Sequence, residues 1–511
     1  MIGQFARLTA ILFGAVCTTL PAASQPEPLP LKFEDSKWRL GKFASIKDGI
    51  LTIDVPNTPE KNGQNFATCP IDLTPLRNQS ISVTVNTKGT NISIPARNWN
   101  GGKVMLHYRD ENGMDHWHHP TRITGSFDWR DIGFSAPISA GATKGQLHLG
   151  LQQSSGKIEF KLDSIKVYTL FPRVNEDYKI AYPDRIRNTA PLRGVMSPHR
   201  FTEDDFKTLK EWNVNLVRAQ LTRAWGKTGT DRDLAEYDRW LNRKLDHLEE
   251  ALKLAEKYGI KMVIDLHSPP GGRSTGRDMN MFYEKKYADH FIECWKRIAQ
   301  RFKGNPAVWA YDLINEPVQN RPAKYDYWNL QRMAAEAVRE IDPDTPIIIE
   351  SNRWAAPASY SYLSPLAMDN VIYQVHMYAP GTFTHQGVNN TFGEQGKGVG
   401  VTYPGFIEGR QWNKEMIRQT LQPVRDFQLQ HNARIFVGEF SAIAWAPGAA
   451  KYLADCIDVF EEYGWDWTYH AFREWKGWSV EHEGTDAGSL KPSADNDRKQ
   501  TLLKAFQKNS R

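Results

Sequence analysis

The chain has 511 residues, 40% of them hydrophobic, which is enough for one large domain and a second, smaller one. Its 64 basic and 59 acidic side chains nearly cancel, and a net charge of +5 over this length excludes an extended nucleic-acid-binding surface.

Near the N-terminus one cation, Arg7, precedes an apolar run from Leu8 to Leu20 and the small residues Ala22, Ala23 and Ser24. That order reads as a secretory signal peptide over residues 1–24, so the mature chain is expected to be secreted, extracellular or periplasmic. The run is too short for a membrane span, and none is expected. Removing it leaves Cys69, Cys294 and Cys456, an odd number with no metal-ligand spacing, so no structural disulfide and no metal site are expected.

Residues 30–170 read as all-β. The segments Ile50–Val55, Ile81–Asn86, Val104–Tyr108, Gln146–Leu151 and Ile158–Val167 alternate or run β-branched, with Gly and Asn clusters such as Asn98–Gly102 between them. Without helical periodicity, this predicts a jelly-roll-like β-sandwich. Residues 171–190 carry prolines and mixed charge and read as a linker lying along the second domain.

From residue 191 to 511 the rhythm becomes strand–helix. Strands are predicted at Leu192–Ser197, Val214–Leu221, Lys261–Ser268, Val308–Glu316, Pro346–Ser351, Val371–Tyr378, Arg434–Ser441 and Trp465–Phe472. Helices are predicted at Glu203–Trp212, Tyr237–Tyr258, Met279–Phe302, Asp326–Ile341, Asn413–His431 and Ala449–Tyr463, with a last one at Asp495–Gln507. The strands are nearly continuous apolar runs, as strands buried on both faces must be. The fold class is therefore α/β, a (β/α)8 TIM barrel preceded by the sandwich.

Barrel chemistry sits at the C-terminal strand ends, and those ends carry costly polar groups. Strand 2 holds Arg218, strand 3 ends in Asp265-Leu-His267, strand 4 in Asn315-Glu316, strand 6 in His376-Met-Tyr378 and strand 7 in Gly438-Glu439. Pro317 cannot continue a strand ladder, so Glu316 is expected where strand gives way to loop. Two rigid carboxylates facing one bond suit retaining glycoside hydrolysis, in which one carboxyl protonates the leaving group and the other, ionised, attacks. A cation such as Arg218 beside a carboxylate keeps it ionised.

These motifs, in this order, resemble glycoside hydrolase family 5, in the clan of retaining (β/α)8 glycosidases. The resemblance covers about residues 190 to 505. It implies Glu316 as acid/base and Glu439 as nucleophile. It also implies a substrate-contacting set of Arg218, His267, Asn315, His376 and Tyr378, with Arg218 and Tyr378 orienting Glu439 and His376 positioning Glu316. The family usually places a Trp platform directly after strand 8. Here that region reads Trp467-Thr-Tyr-His-Ala-Phe-Arg-Glu-Trp475-Lys-Gly-Trp478, and Trp475 is the expected platform, with Phe472 and Trp478 as alternatives. The charges Arg473 and Glu474 bear on sugar preference unless they form a loop ion pair. The run Gly156–Tyr168 resembles the closing strands of carbohydrate-binding modules; a sandwich that only packs against the barrel is the competing expectation. The loops Pro269–Gly276 and Ala379–Trp412 are expected to shape the cleft. The reading is a secreted endo-β-glycanase of the cellulase or mannanase kind, acting on β-linked polysaccharide or oligosaccharide. It is expected to be a monomer with no cofactor, no metal, no nucleic-acid partner and no membrane span. An exo-β-glycosidase, or a non-catalytic glycan-binding barrel, would use the same scaffold.

Overall fold

The computed structural model describes residues 27–509 except 112, 172, 197, 224–229, 275 and 389–391. The expected signal peptide, and Ser197 at the end of the first predicted barrel strand, lie outside the described residues.

Two antiparallel sheets form the N-terminal domain. One has five strands and the other six, the long strand Gln79–Ile92 pairing with Gly125–Ile138 along most of its length. Alternation decides their inner faces. Leu147, Leu149 and Leu151 point inward from one sheet and meet Ile81, Val83 and Val85 of the other in a common core. The predicted run Ile158–Val167 is two strands, Gly156–Lys161 and Lys166–Thr169, broken by a helical turn at Leu162–Ser164.

The six-stranded sheet meets the barrel. Ser82 Oγ donates to the Asn320 carbonyl at 2.7 Å and Ser135 Oγ to Asn320 Oδ1 at 3.0 Å, while Arg353 Nη1 donates to the Ser135 carbonyl at 2.6 Å. Asn320 and Arg353 belong to the loops after barrel strands 4 and 5. The segment between the domains straps the barrel's far end: Ile180 N donates to the His431 carbonyl at 2.9 Å and Tyr182 Oη to the Val371 carbonyl at 2.6 Å.

Eight parallel strands close the barrel: Arg193–Met196, Leu216–Gln220, Lys261–Asp265, Val308–Asp312, Ile347–Glu350, Val371–Met377, Arg434–Phe440 and Asp466–Tyr469. They are strands 1 to 8 below. The helices between them begin and end where the sequence supplies caps. Thr202 and Asp205 form a reciprocal capping box, Asp233 and Asp326 accept from the first turns they precede, and Gly259 takes a left-handed C-cap. The predicted start at Met279 is a separate 3-10 turn, Asn280–Phe282, and the helix proper is Lys285–Phe302. All three described cysteines are free and buried.

The barrel interior is layered by the two-residue period of its strands. Leu216, Val263, Ala310, Ile348, Ile372 and Phe436 form an apolar plug toward the N-terminal end. Two residues further along the same strands stand Arg218, Asp265, Asp312, Glu350 and Gln374, all five of them buried. The switch from apolar to ionisable within one step marks the floor of the site.

Candidate active site

Arg218 organises this floor. Its Nε donates to Asp312 Oδ2 at 2.8 Å, Nη1 to Glu439 Oε1 at 2.7 Å, and Nη2 to Asn315 Oδ1 at 3.0 Å and Glu350 Oε1 at 3.1 Å. Asp265 Oδ2 lies 3.2 Å from Nη2. One guanidinium thus faces four carboxyl groups, and they cannot all stay charged at once. Burial pushes the Asp312 carboxyl up to about 7, with the Asp265 charge adding to it and Arg218 opposing. Burial and Asp312 push Glu350 well above the usual range. Glu439 goes the other way: burial would raise it, but the charges of His376, His470, Arg218 and His267 outweigh that and hold it strongly depressed. The cluster therefore holds Glu439 ionised while it pushes Asp312 and Glu350 toward their neutral forms. Arg218 itself is sealed from solvent, so it acts on Glu439 and not on a sugar.

Glu439 reaches the site through a bulge. Along strand 7 the pairing with strand 6 runs Val375 with Val437, then His376 with Glu439, skipping Gly438. Simple alternation from inward-facing Phe436 would turn Glu439 outward, and the skipped residue turns it back in. Glycine leaves room at 438, where a Cβ would lie 2.4 Å from the end of the buried Gln374 side chain and displace it from His376. Tyr378, the residue after strand 6, donates its hydroxyl to Glu439 Oε2 at 2.9 Å.

Glu316 stands on the opposite wall with a left-handed backbone, φ 51°. A non-glycine residue seldom adopts this conformation, and such strain gathers at functional sites. It is held by its N–H donating to Glu350 Oε2 at 2.7 Å and by Arg273 Nη2 donating to its carbonyl at 2.8 Å. His376 Nδ1 lies 3.1 Å from Glu316 Oε1, and Gln374 Nε2 faces the other ring nitrogen at 3.2 Å. Asn315 Nδ2 and His267 Nε2 are 3.2 Å apart, and His267 Nδ1 meets Asp265 Oδ2 at 2.8 Å. Burial works against the charged imidazole of His267, but Asp265 raises it overall.

All eight sequence-predicted site residues are described. Arg218, His267, Asn315, Tyr378 and Glu439 form one hydrogen-bonded set, and Glu350 and Gln374 join the Glu316–His376 pair to it. Trp475 stands apart at the rim, 37% exposed, its ring at right angles to Trp445 at 6.0 Å. Gly477 permits this, for a Cβ there would strike the Trp475 ring at 2.5 Å. Of the alternatives, Phe472 is buried against Trp212, and Trp478 is buried beneath His385, His470 and Tyr378. Arg473 and Glu474 do not pair with each other. Arg473 binds Glu481 and Asp205 on the outer side, while Glu474 turns inward to His470 at 2.8 Å.

Three participants carried no clear sequence signal: Arg273 and Trp354, whose side chains stack with 4.5 Å from guanidinium carbon to ring centroid, and His470. Trp354 lies in a run of three left-handed residues, Arg353, Trp354 and Ala355, and its ring reaches the surface under the Arg273 guanidinium. Among the described residues two trios could reach one metal ion. Asp238, His290 and Cys294 lie on the outer helices, and Glu316, His376 and Glu439 lie in the site. The donors of the second trio are already engaged by Arg218, Tyr378 and each other.

A closed (β/α)8 barrel with this polar floor is the scaffold of a glycoside hydrolase, and comparison with known proteins gives the family. The family model for cellulase (glycosyl hydrolase family 5) matches residues 185–475, more than half of the chain. The chain belongs to that family. Endoglucanase C of Acetivibrio thermocellus is 27% identical over 294 residues, 52% of this chain and 83% of that protein. Cellodextrinase A of Ruminococcus flavefaciens is 28% identical over 192 residues, 37% of this chain and 54% of that one. A solved glycoside hydrolase superposes with a TM-score of 0.50 at 22% identity, covering 62% of this chain and 99% of that chain.

Proposed function

We propose that the chain is a secreted, retaining endo-β-glycanase that cleaves β-linked polysaccharide by double displacement. Glu439 attacks the anomeric carbon as Glu316 gives its proton to the departing glycosidic oxygen, forming a covalent glycosyl-enzyme. Glu316 then takes a proton from water, which attacks the same carbon and frees Glu439. The observation that carries this reading is the spacing: carboxylate oxygens of Glu316 and Glu439 and a ring nitrogen of His376 lie within 4.8 Å of one another. Retention requires carboxyl groups about 5–5.5 Å apart, whereas inversion needs about 6.5–9.5 Å to admit a water. The opposed states of the floor carboxyls support Glu439 as the attacking group.

In this reading Asn315 contacts the hydroxyl next to the broken bond, His267 a further hydroxyl, and Trp475 a sugar face. The names of endoglucanase and cellodextrinase relatives support a β-glucan as substrate. Exo action on short β-glycosides is the second reading. The segment after strand 6 supports it, since His385 of that segment packs edge-on against Tyr378 beside Glu439. Secretion rests on the leader read in residues 1–24.

The test is release of reducing ends from β-1,4- and β-1,3-glucans, mannan, xylan, xyloglucan and galactan, beside Glu439→Ala. Signal on one polymer that vanishes in the variant supports the assignment. Mixed oligosaccharides as first products indicate endo action and a single short product indicates exo action. An inverted anomer as first product in the wild type would overturn the mechanism.

A further inference from the structure

We propose that His470 and Glu474 are positioning residues for the nucleophile: a doubly protonated His470, held by Glu474, donates to Tyr378 and so directs the single Tyr378 proton onto Glu439. The inference rests on Glu439 being the nucleophile.

His470 is the first residue after strand 8, anchored by its N–H donating to the Phe440 carbonyl at 3.1 Å. Its Nδ1 lies 2.8 Å from Tyr378 Oη, and its Nε2 lies 2.8 Å from Glu474 Oε2. Tyr378 Oη is in turn 2.9 Å from Glu439 Oε2. A phenol has one proton, and an ionised carboxylate can only accept. With Glu439 held ionised, the Tyr378 proton points at Glu439, and Tyr378 must accept from His470 Nδ1. At the other end Glu474 is a carboxylate as well, so Nε2 must donate too. Both ring nitrogens carry protons, and the chain Glu474–His470–Tyr378–Glu439 runs with every proton pointing the same way along its last two links.

The groups facing His470 favour this state. Burial works against the charged ring, but Glu474 on its own loop, Glu439 from strand 7 and Glu316 from the loop after strand 4 together raise its pKa. His385, from the segment after strand 6, packs on the same Tyr378 and stays neutral at operating pH, since burial, with the His470 charge adding, lowers it to about 4. Burial raises Glu474, but His470 and then His267 depress it overall. Burial and Glu439 keep the Tyr378 phenol protonated.

Loss of one proton from His470 leaves two protons for three links, so one link must set lone pair against lone pair. Glu474 retains the Nε2 proton, and Tyr378 loses the donor that fixes its hydroxyl. The hold of Tyr378 on Glu439 is then weakened, and with it the orientation of the nucleophile. His470 thus sets an alkaline limit on turnover above the ordinary histidine value of about 6.5.

The first readout needs no substrate. Proton–nitrogen correlation of the histidine rings, with His470→Asn as the assignment control, should show both His470 nitrogens protonated at pH 7. Neutral His470 at that pH would overturn the proposal. The second readout is the pH profile of kcat/KM on dinitrophenyl β-cellobioside. Glu474→Gln removes the anion that holds the second proton, and the alkaline limb should move down by about one pH unit. His470→Asn offers Tyr378 a donor that does not titrate, so its alkaline limb should disappear while part of the activity remains. Limbs unmoved in both variants, with wild-type unfolding temperatures, would sink the idea. Failure of the underlying mechanism looks different: Glu439→Gly then stays active, or gains nothing from azide.

Discussion

Arg218→Lys keeps the positive charge and removes the fork, which isolates the geometry from the charge. Arginine here serves five acceptors, from Asp312, Glu439, Asn315, Glu350 and Asp265. Lysine has one nitrogen and three protons, so at least two of these links are lost. Each charge-assisted hydrogen bond contributes about 1.5–3 kcal/mol, which gives a loss of about 3–6 kcal/mol before relaxation and proton uptake by the freed carboxyls. For a domain of this size the unfolding temperature should fall by roughly 6–20 °C. Glu439 also loses the 2.7 Å contact that fixes one of its oxygens. Mispositioning it by about 2–4 kcal/mol in the transition state lowers kcat/KM by roughly 30- to 1000-fold. Thermal unfolding by circular dichroism and turnover on a soluble substrate measure the two effects separately. Wild-type stability together with wild-type kcat/KM would show that the fork does not hold the site, and the reasoning from this cluster would fall.

Four other outcomes follow from the same geometry. In Glu316→Ala, polymer hydrolysis should fall about 10²- to 10⁴-fold while dinitrophenyl glycosides lose far less, because they need no proton; equal losses would deny Glu316 the acid role. Asp312 has a folded pKa of about 7, above its ordinary value, so its stabilising contribution is complete at low pH and fades as pH rises through 7. The unfolding temperature should therefore fall more steeply from pH 5 to 8 in the wild type than in Asp312→Asn, and parallel slopes would refute this. Arg353→Ala removes the link to Ser135 at the domain contact, at a cost of about 1–3 kcal/mol. Faster proteolysis between the domains and a lower kcat/KM are expected, and no change in either would mean that the sandwich merely rests on the barrel. EDTA should leave activity intact; loss reversed by zinc would replace the metal-free mechanism.

Most of the fold was legible because its signals are local. Each of the eight predicted barrel strands contains the observed one, since buried parallel strands are written as short apolar runs with turn chemistry around them. The sandwich was read less completely: Gln64–Asp72 and Gly125–Ile138 went unassigned, because Pro70, Pro137 and scattered charges interrupt their alternation. At the site, residues lying on strand ends were legible and residues delivered by loops were not. Glu439 was found from its run, but not the Gly438 bulge that turns it inward, because period two predicts the outward face. Trp354 and Arg273 depend on left-handed backbone and on the path of two separate loops, which no single segment encodes. His470 sat in plain view in the strand 8 run, yet its meaning came only from the fold, which brings it to Tyr378 from 92 residues away.

The domain contact ties these loop-borne residues together. Glu316 and the triplet Arg353–Ala355 all hold left-handed backbone, and strain of this kind persists only where the surroundings over-determine it. From below, Glu350 accepts from the Glu316 N–H. Between the two loops, Trp354 N donates to the Pro317 carbonyl at 3.2 Å. From the side, Ser82 and Ser135 of the sandwich engage Asn320 and Arg353. The wall that carries Glu316 is therefore clamped by both domains, whereas the partners of Glu439 among the described residues belong to the barrel. Under the proposed mechanism a change at the sandwich contact should thus act on protonation of the leaving group and spare attack by Glu439. In Arg353→Ala the loss should be larger on polymer than on dinitrophenyl β-cellobioside, and an equal loss on both would place the effect elsewhere.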